Sequence, residues 1–204
     1  MIVPPSKALA GGPQKAAREL EDIERAVGEP QETSPRDRWN PPFSGDIDMR
    51  IAVDGTWYYL GSEIRRKPLV RLFSTVLRRE EDQQYYLVTP VEKLRITVDD
   101  APFLAVAMDV SGHGRDQVVS FTTNLEDKIR VDMTHPLRFE TPGKGDATRP
   151  YVLVRERLEA LVNRAVFYDL VELGTTYEMD DGDWYGVWSC GKFFKMAPAA
   201  ELDL

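Results

Sequence analysis

The chain has 204 residues, enough for one large or two small domains, and its 42% hydrophobic and 29% charged content is that of a folded globular protein. A net charge of −8 and a pI near 4.9 argue against general DNA coating and against an anionic membrane surface, since both need a basic balance. No apolar run approaches the roughly 20 residues that span a bilayer. The single cysteine, Cys190, excludes an internal disulfide and a thiolate metal cage, which points to the cytoplasm.

Residues 1–12 are rich in Pro, Gly and Ala and lack a signal-peptide pattern. Pro13 and Gly28 bracket an expected helix over about 13–27, with Leu20, Ile23 and Val27 on a narrow apolar face. A linker then runs to Arg38, so residues 1–38 form an expected tail. Trp39-Asn40-Pro41-Pro42-Phe43 is rigid and aromatic, and is expected to pack on a domain surface. Ile47, Met49, Ile51 and Val53 alternate with polar or small residues, which predicts a strand. Asp54-Gly55 is a hairpin turn, and Trp57–Leu60 is the return strand. Pro68 opens a helix with Leu69, Leu72, Phe73, Val76 and Leu77 on one face, ended by the polar run Arg78–Gln84. Strands follow at 85–89 and 93–98.

A long β stretch comes next, with strands expected at 103–109, 117–122, 128–133, 136–140, 150–155 and 158–162. Turn-rich segments separate them at the spacing of a sandwich or barrel. Asn163 caps a helix over about 164–173. Asp181-Gly182 starts a last hairpin, with strands near 184–189 and 192–196. The order strand, strand, helix, strand, strand thus occurs twice, over about 48–98 and 150–197. One register pairs Leu69, Leu72 and Phe73 with Phe167, Leu170 and Val171. A rival register sets Val98-Asp99-Asp100 against Met179-Asp180-Asp181. The fold class expected is α+β, mainly antiparallel β, in two domains: an α+β domain over 39–91 and a barrel-like domain over 92–204. Counted from Lys93 to Val162, seven strands precede the second helix, the layout of a pleckstrin-homology-like domain.

Several stretches together resemble a bacterial family, domain of unknown function 1285. They are Trp39-Asn40-Pro41, Asp54-Gly55-Thr56-Trp57, Arg66–Phe73, Leu87–Lys93, Val98–Phe103, His135-Pro136-Leu137 and Phe167–Leu173. The resemblance covers most of the chain from about Arg38 to Met196. It implies two α+β domains with a repeated motif, a pleckstrin-homology-like second domain, and a role in signalling or in binding a nucleotide-like or protein ligand between the domains. It brings no catalytic residues. The hairpin Arg155-Glu156-Arg157 departs from the Gly-rich turn expected there.

The residues themselves offer little catalytic chemistry. Only His113 and His135 can serve as an imidazole base. His113 lies in a Ser-Gly-His-Gly turn. His135 precedes Pro136, where extended backbone suits either a structural hydrogen-bonder or a ligand contact. No zinc or calcium spacing is present, so neither metal nor cofactor is expected. Thr141–Asp146 lacks phosphate-loop spacing and leads into a strand.

Two basic clusters remain: Arg65, Arg66 and Lys67 with Arg71 around the first helix, and Arg149, Arg155, Arg157 and Arg164 around the second. Cations at a helix start oppose the helix dipole, which suits anion capture. Trp57, Tyr59, Tyr151 and Trp184 are candidates for stacking a planar base. The expected ligand site therefore comprises Trp57, Arg65, Arg66, Lys67, His135, Arg149, Tyr151, Arg155 and Arg164, at a cleft between the two halves. The candidate ligands are a nucleotide, a short nucleic acid or an acidic protein segment. The alternative readings are a hydrolase using carboxylates, and a structural adaptor using the Trp39 segment and the N-terminal helix. The sequence leaves the oligomeric state open.

Overall fold

Alternation in the first β segment becomes strand β1 (Phe43–Ile51), whose Met49 and Ile51 are buried while Asp48 and Arg50 face solvent. The computed structural model describes residues 39–141, 143 and 147–201. The expected tail, with its helix over 13–27, lies outside the described residues. The chain divides into two units: one running through Arg50 together with Trp57–Thr97, the other comprising Ile51–Thr56 and the chain from Val98 onward.

In the first unit, β2 (Trp57–Tyr59) and β3 (Ser62–Glu63) follow β1, then helix α1 (Lys67–Thr75), then β4 (Leu77–Arg79), β5 (Tyr85–Val88) and β6 (Lys93–Val98). They form one sheet in the order β3-β2-β1-β6-β5-β4. Helix α1 buries Leu69, Val70, Leu72, Phe73 and Ser74. Trp57, 1% exposed, packs against the fully buried Phe73 with ring centroids 6.3 Å apart. Leu77 and its neighbours do not extend the helix. The backbone turns at Val76, and Leu77 pairs with Leu87 in the sheet. The Trp39–Phe43 segment lies on this unit: Pro41 is buried, and the Arg78 guanidinium donates to the Trp39 carbonyl at 2.9 Å.

In the second unit, β7 (Phe103–Ser111), β8 (Val118–Thr123), β9 (Lys128–Arg130), β10 (Leu137–Glu140), β11 (Arg149–Arg155) and β12 (Leu158–Val162) form a sheet in the order β10-β11-β12-β7-β8-β9. Helix α2 (Arg164–Glu172) follows, and β13 (Thr175–Met179), β14 (Gly182–Ser189) and β15 (Lys192–Pro198) make a three-stranded sheet. Irregularities in register within β7 and β11 bend the six-stranded sheet. The small sheet packs on it, with β14 beside β8 and β15 beside β10. Ser189, wholly buried, fixes that contact. Its hydroxyl accepts from the Val119 N–H at 3.0 Å and donates to the Val131 carbonyl at 2.6 Å, so neither buried backbone group lacks a partner.

Each unit is thus β-rich and carries the strand-strand-helix-strand-strand order once. Three sequence expectations need correction. The seven antiparallel strands counted from Lys93 do not share a sheet: β6 pairs with β5 in the first sheet, and β12 runs parallel to β7. Three short strands, β3, β4 and β13, were not expected. The helix pairing also shifts by one residue, because α2 buries Val166 and Leu170, the counterparts of Leu69 and Phe73. No helix among the described residues is long and apolar enough to cross a membrane.

Candidate functional site

The nine expected site residues fall into distinct settings. Arg65, Arg66 and Lys67 sit exposed at the start of α1. Arg66 takes the N-cap position with extended backbone, but no side chain caps the helix and its first turn holds no acid. The positive end of the helix therefore receives neither a capping side chain nor a first-turn acid, and cations flank it. Arg65 pairs with Glu63 at 3.3 Å, with side chains 85% and 45% exposed, so that pair is worth little. The Lys67 ammonium has no ion pair among the described residues.

Trp57 and Tyr151 are not available to stack a base. Trp57 is a core side chain, with no described partner for its indole N–H. Tyr151 is 5% exposed, and its hydroxyl donates to Asp100 Oδ1 at 2.8 Å. Burial first, and then that hydrogen bond, push its phenol pKa up to about 12. Tyr59 is buried too. Hydrophobic burial decides the place of these large rings before any ligand can.

Arg149 and Tyr151 are brought together by one carboxylate. Asp100, its side chain 10% exposed, accepts from Arg149 at 3.1 Å as well as from Tyr151. Alternation along β11 places the two on one face, opposite Arg138 of β10. The Arg138 guanidinium lies 4.4 Å from the centroid of the Tyr151 ring and makes a bidentate pair with Glu159, 2.9 Å on each arm, plus a contact to Glu140. These carboxylates push its pKa further up. Sequence reading missed Arg138 because cross-strand neighbours are not adjacent in the chain. Arg155 follows the register shift after Leu153, with its guanidinium 5.0 Å from the Phe103 ring centroid. Arg164 opens α2 and donates from Nε to the Tyr168 hydroxyl at 3.0 Å on an exposed face.

His135 closes a tight turn. Asp132 Oδ1 accepts from the backbone N–H of Thr134 at 2.8 Å, from the Thr134 hydroxyl at 2.6 Å and from the His135 N–H at 3.0 Å. Arg130 donates to Oδ2. Led by the Thr134 hydroxyl, these donors hold the Asp132 carboxyl well below the usual carboxylate range, against partial burial. Thr134 Oγ1 also lies 3.0 Å from His135 Nδ1. Hydroxyl, imidazole and carboxylate therefore meet, but in the wrong order for nucleophilic catalysis. The one hydroxyl proton is directed at the carboxylate, which leaves none for the ring nitrogen. A base would instead accept that proton. The set is a turn lock. Among the described residues, no group of three or more His, Cys, Asp or Glu side chains gathers as a metal cage would require.

The fold and these settings define a class: a two-unit, β-rich protein carrying a repeated helix-containing motif. The chain belongs to the DUF1285 family. The model of its N-terminal domain, described as a domain of unknown function, matches residues 34–101, and that of its C-terminal domain, described as a protein of unknown function, matches residues 102–196. A crystal structure of a DUF1285 family protein from Silicibacter pomeroyi DSS-3 is similar at 48% identity and a TM-score of 0.79, over 89% of this chain and 97% of that one. Another, from Shewanella baltica OS155, is 26% identical with a TM-score of 0.49, over 61% of this chain and 90% of that one. None of the curated proteins matches this chain.

Proposed function

We propose that this protein is a non-catalytic binding module, with a role in signalling, that recognises an oxyanion carried by a nucleotide-like molecule or by an acidic segment of a partner protein. The observation that carries this reading is the start of α1, where Arg65, Arg66 and Lys67 surround an uncapped helix end with no acid in its first turn. Leaving an N-cap without Ser, Thr, Asp or Asn forgoes about 1 kcal/mol of helix stability. Backbone N–H groups and cationic side chains can act on one anion there. A pleckstrin-homology-like reading of the second unit draws support from a bent six-stranded sheet followed directly by α2. The single cysteine favours a cytoplasmic setting.

The test is a thermal-shift screen with nucleotides, cyclic dinucleotides, short oligonucleotides and acidic peptides. A ligand at 100 times its dissociation constant adds about 2.7 kcal/mol of stability. The double substitution Arg66→Ala/Lys67→Ala should abolish the shift while leaving the unliganded midpoint nearly unchanged. A full shift retained in the double variant, or no shift from any anionic compound, overturns the reading.

A further inference from the structure

One cation of the second unit is held in place by aromatic rings, with no carboxylate partner among the described residues. Arg115 lies in a short 3-10 turn, Gly114–Asp116, between β7 and β8. Its guanidinium carbon stands 5.1 Å from the Tyr177 ring centroid and 4.9 Å from that of Trp188. Those two rings meet edge to face at 5.0 Å, and both pack on Phe193 at 5.2–5.3 Å. Two aromatic faces thus fix the guanidinium electrostatically. Among the described residues it meets no carboxylate and donates no hydrogen bond, although Asp116 is next in the chain.

The stack is not needed to hold the loop, because backbone and amide bonds already do so. Cys190 donates its N–H to the Gln117 carbonyl at 2.9 Å, and Gly191 donates to the Arg115 carbonyl at 3.1 Å. Gln117 Nε2 donates to the Trp188 carbonyl at 2.8 Å. These bonds sustain a two-residue turn with φ of +50° at Cys190 and +73° at Gly191, a left-handed conformation that a cysteine adopts only when its surroundings impose it. The turn carries Lys192 directly after Gly191, and the facing loop carries His113 two residues before Arg115. Both side chains are exposed and make no polar contact among the described residues. On a chain of net charge −8, Arg115 and Lys192 stand on two joined loops and pair with no carboxylate among the described residues, which makes a local positive site.

We propose that Arg115 is the anchor of a phosphoryl-binding site, formed by the 111–117 loop and the 189–192 turn, with Lys192 supplying further charge and His113 a further hydrogen-bonding group. A guanidinium fork with its side-chain entropy already spent on stacking suits a planar pair of oxygens. The second cation, Lys192, favours a dianion over a carboxylate. The site belongs to the second unit, whereas α1 belongs to the first.

The decisive measurement is two-dimensional NMR of the arginine Nε–H and tryptophan indole N–H signals of the full chain at constant ionic strength. The Trp188 signal is assigned with Trp188→Phe, and the probes are inorganic phosphate, a nucleoside monophosphate, O-phosphoserine and acetate. Saturable shifts of the Arg115 and Trp188 signals with the phosphates, at about millimolar affinity, are expected, with acetate weak. Whichever ester binds more tightly than inorganic phosphate identifies the source of the group. Arg115→Lys keeps the charge but loses the fork, and should weaken binding by at least about tenfold. Arg115→Gln should abolish it with little change in melting midpoint, and Arg66→Ala should leave it intact. Absence of a saturable shift in the folded wild type, equal binding of acetate, or phosphate shifts that persist in Arg115→Gln would each overturn the proposal.

Discussion

Helices α1 and α2 stand at equivalent places in the repeated motif, yet they are stabilised by opposite means. Helix α1 has no capping side chain and carries cations at its positive end, but buries five residues around Phe73. Helix α2 is capped by Asn163, whose side chain accepts from the Val166 N–H at 2.9 Å, and buries only Val166 and Leu170. A nine-residue helix is too short to persist alone, so each needs tertiary support or a cap. Where packing is extensive, the end of the helix is released from capping and can be spent on another task. Where packing is thin, the cap is retained. The sheets differ in the same sense. In the first unit the strands around α1 close into one sheet, whereas around α2 they divide between a six-stranded sheet and a separate meander.

The largest expected effect is at the packed helix. Phe73→Ala should cost about 3–5 kcal/mol, and Leu170→Ala, its counterpart, about 2–5 kcal/mol. Denaturant titration of both variants checks this, and a larger loss at Leu170 would reverse the assigned dependence on packing. Next in size, Asn163→Ala should destabilise by about 1 kcal/mol, while Arg66→Ala changes stability by less than about 0.5 kcal/mol. Equal losses at the two caps would break the comparison. Smallest, Arg66→Asp should stabilise by about 0.5–1 kcal/mol, since it installs a cap and an acid on backbone already extended at φ −79° and ψ 93°. The same change should remove anion-induced stabilisation, so that stability and binding move in opposite directions. A variant that is both more stable and still responsive to anions would separate the uncapped end from binding.

Local pattern alone was enough to place β1, the strands from Phe103 to Val162, both helices and the Asn163 cap within a few residues, because period two, period 3.6 and cap chemistry are written in neighbouring residues. Strands β4 and β13 escaped it. Leu77–Arg79 continues the apolar face of α1, and Thr175–Met179 is short and mostly exposed, so each becomes a strand only through its partner, β5 or β14. Arg65, Arg66 and Lys67 were legible as an exposed basic start to a helix. The roles of Trp57 and Tyr151 were not, because ring size and a polar tip suit a ligand platform and a core equally, and only packing against Phe73 or bonding to Asp100 tells them apart.

The amino-acid sequence by itself determined the family, the recurrence of the motif and the positions of its basic residues, since these depend on identities and spacings along the chain. The tertiary structure alone decided that β6 joins the first sheet, that Asp100 clamps Arg149 and Tyr151, and that Arg115 stands on Tyr177 and Trp188 with no counter-charge among the described residues. Those contacts join residues far apart in the chain, and their energies depend on distance in space and exclusion of water, which no local pattern encodes.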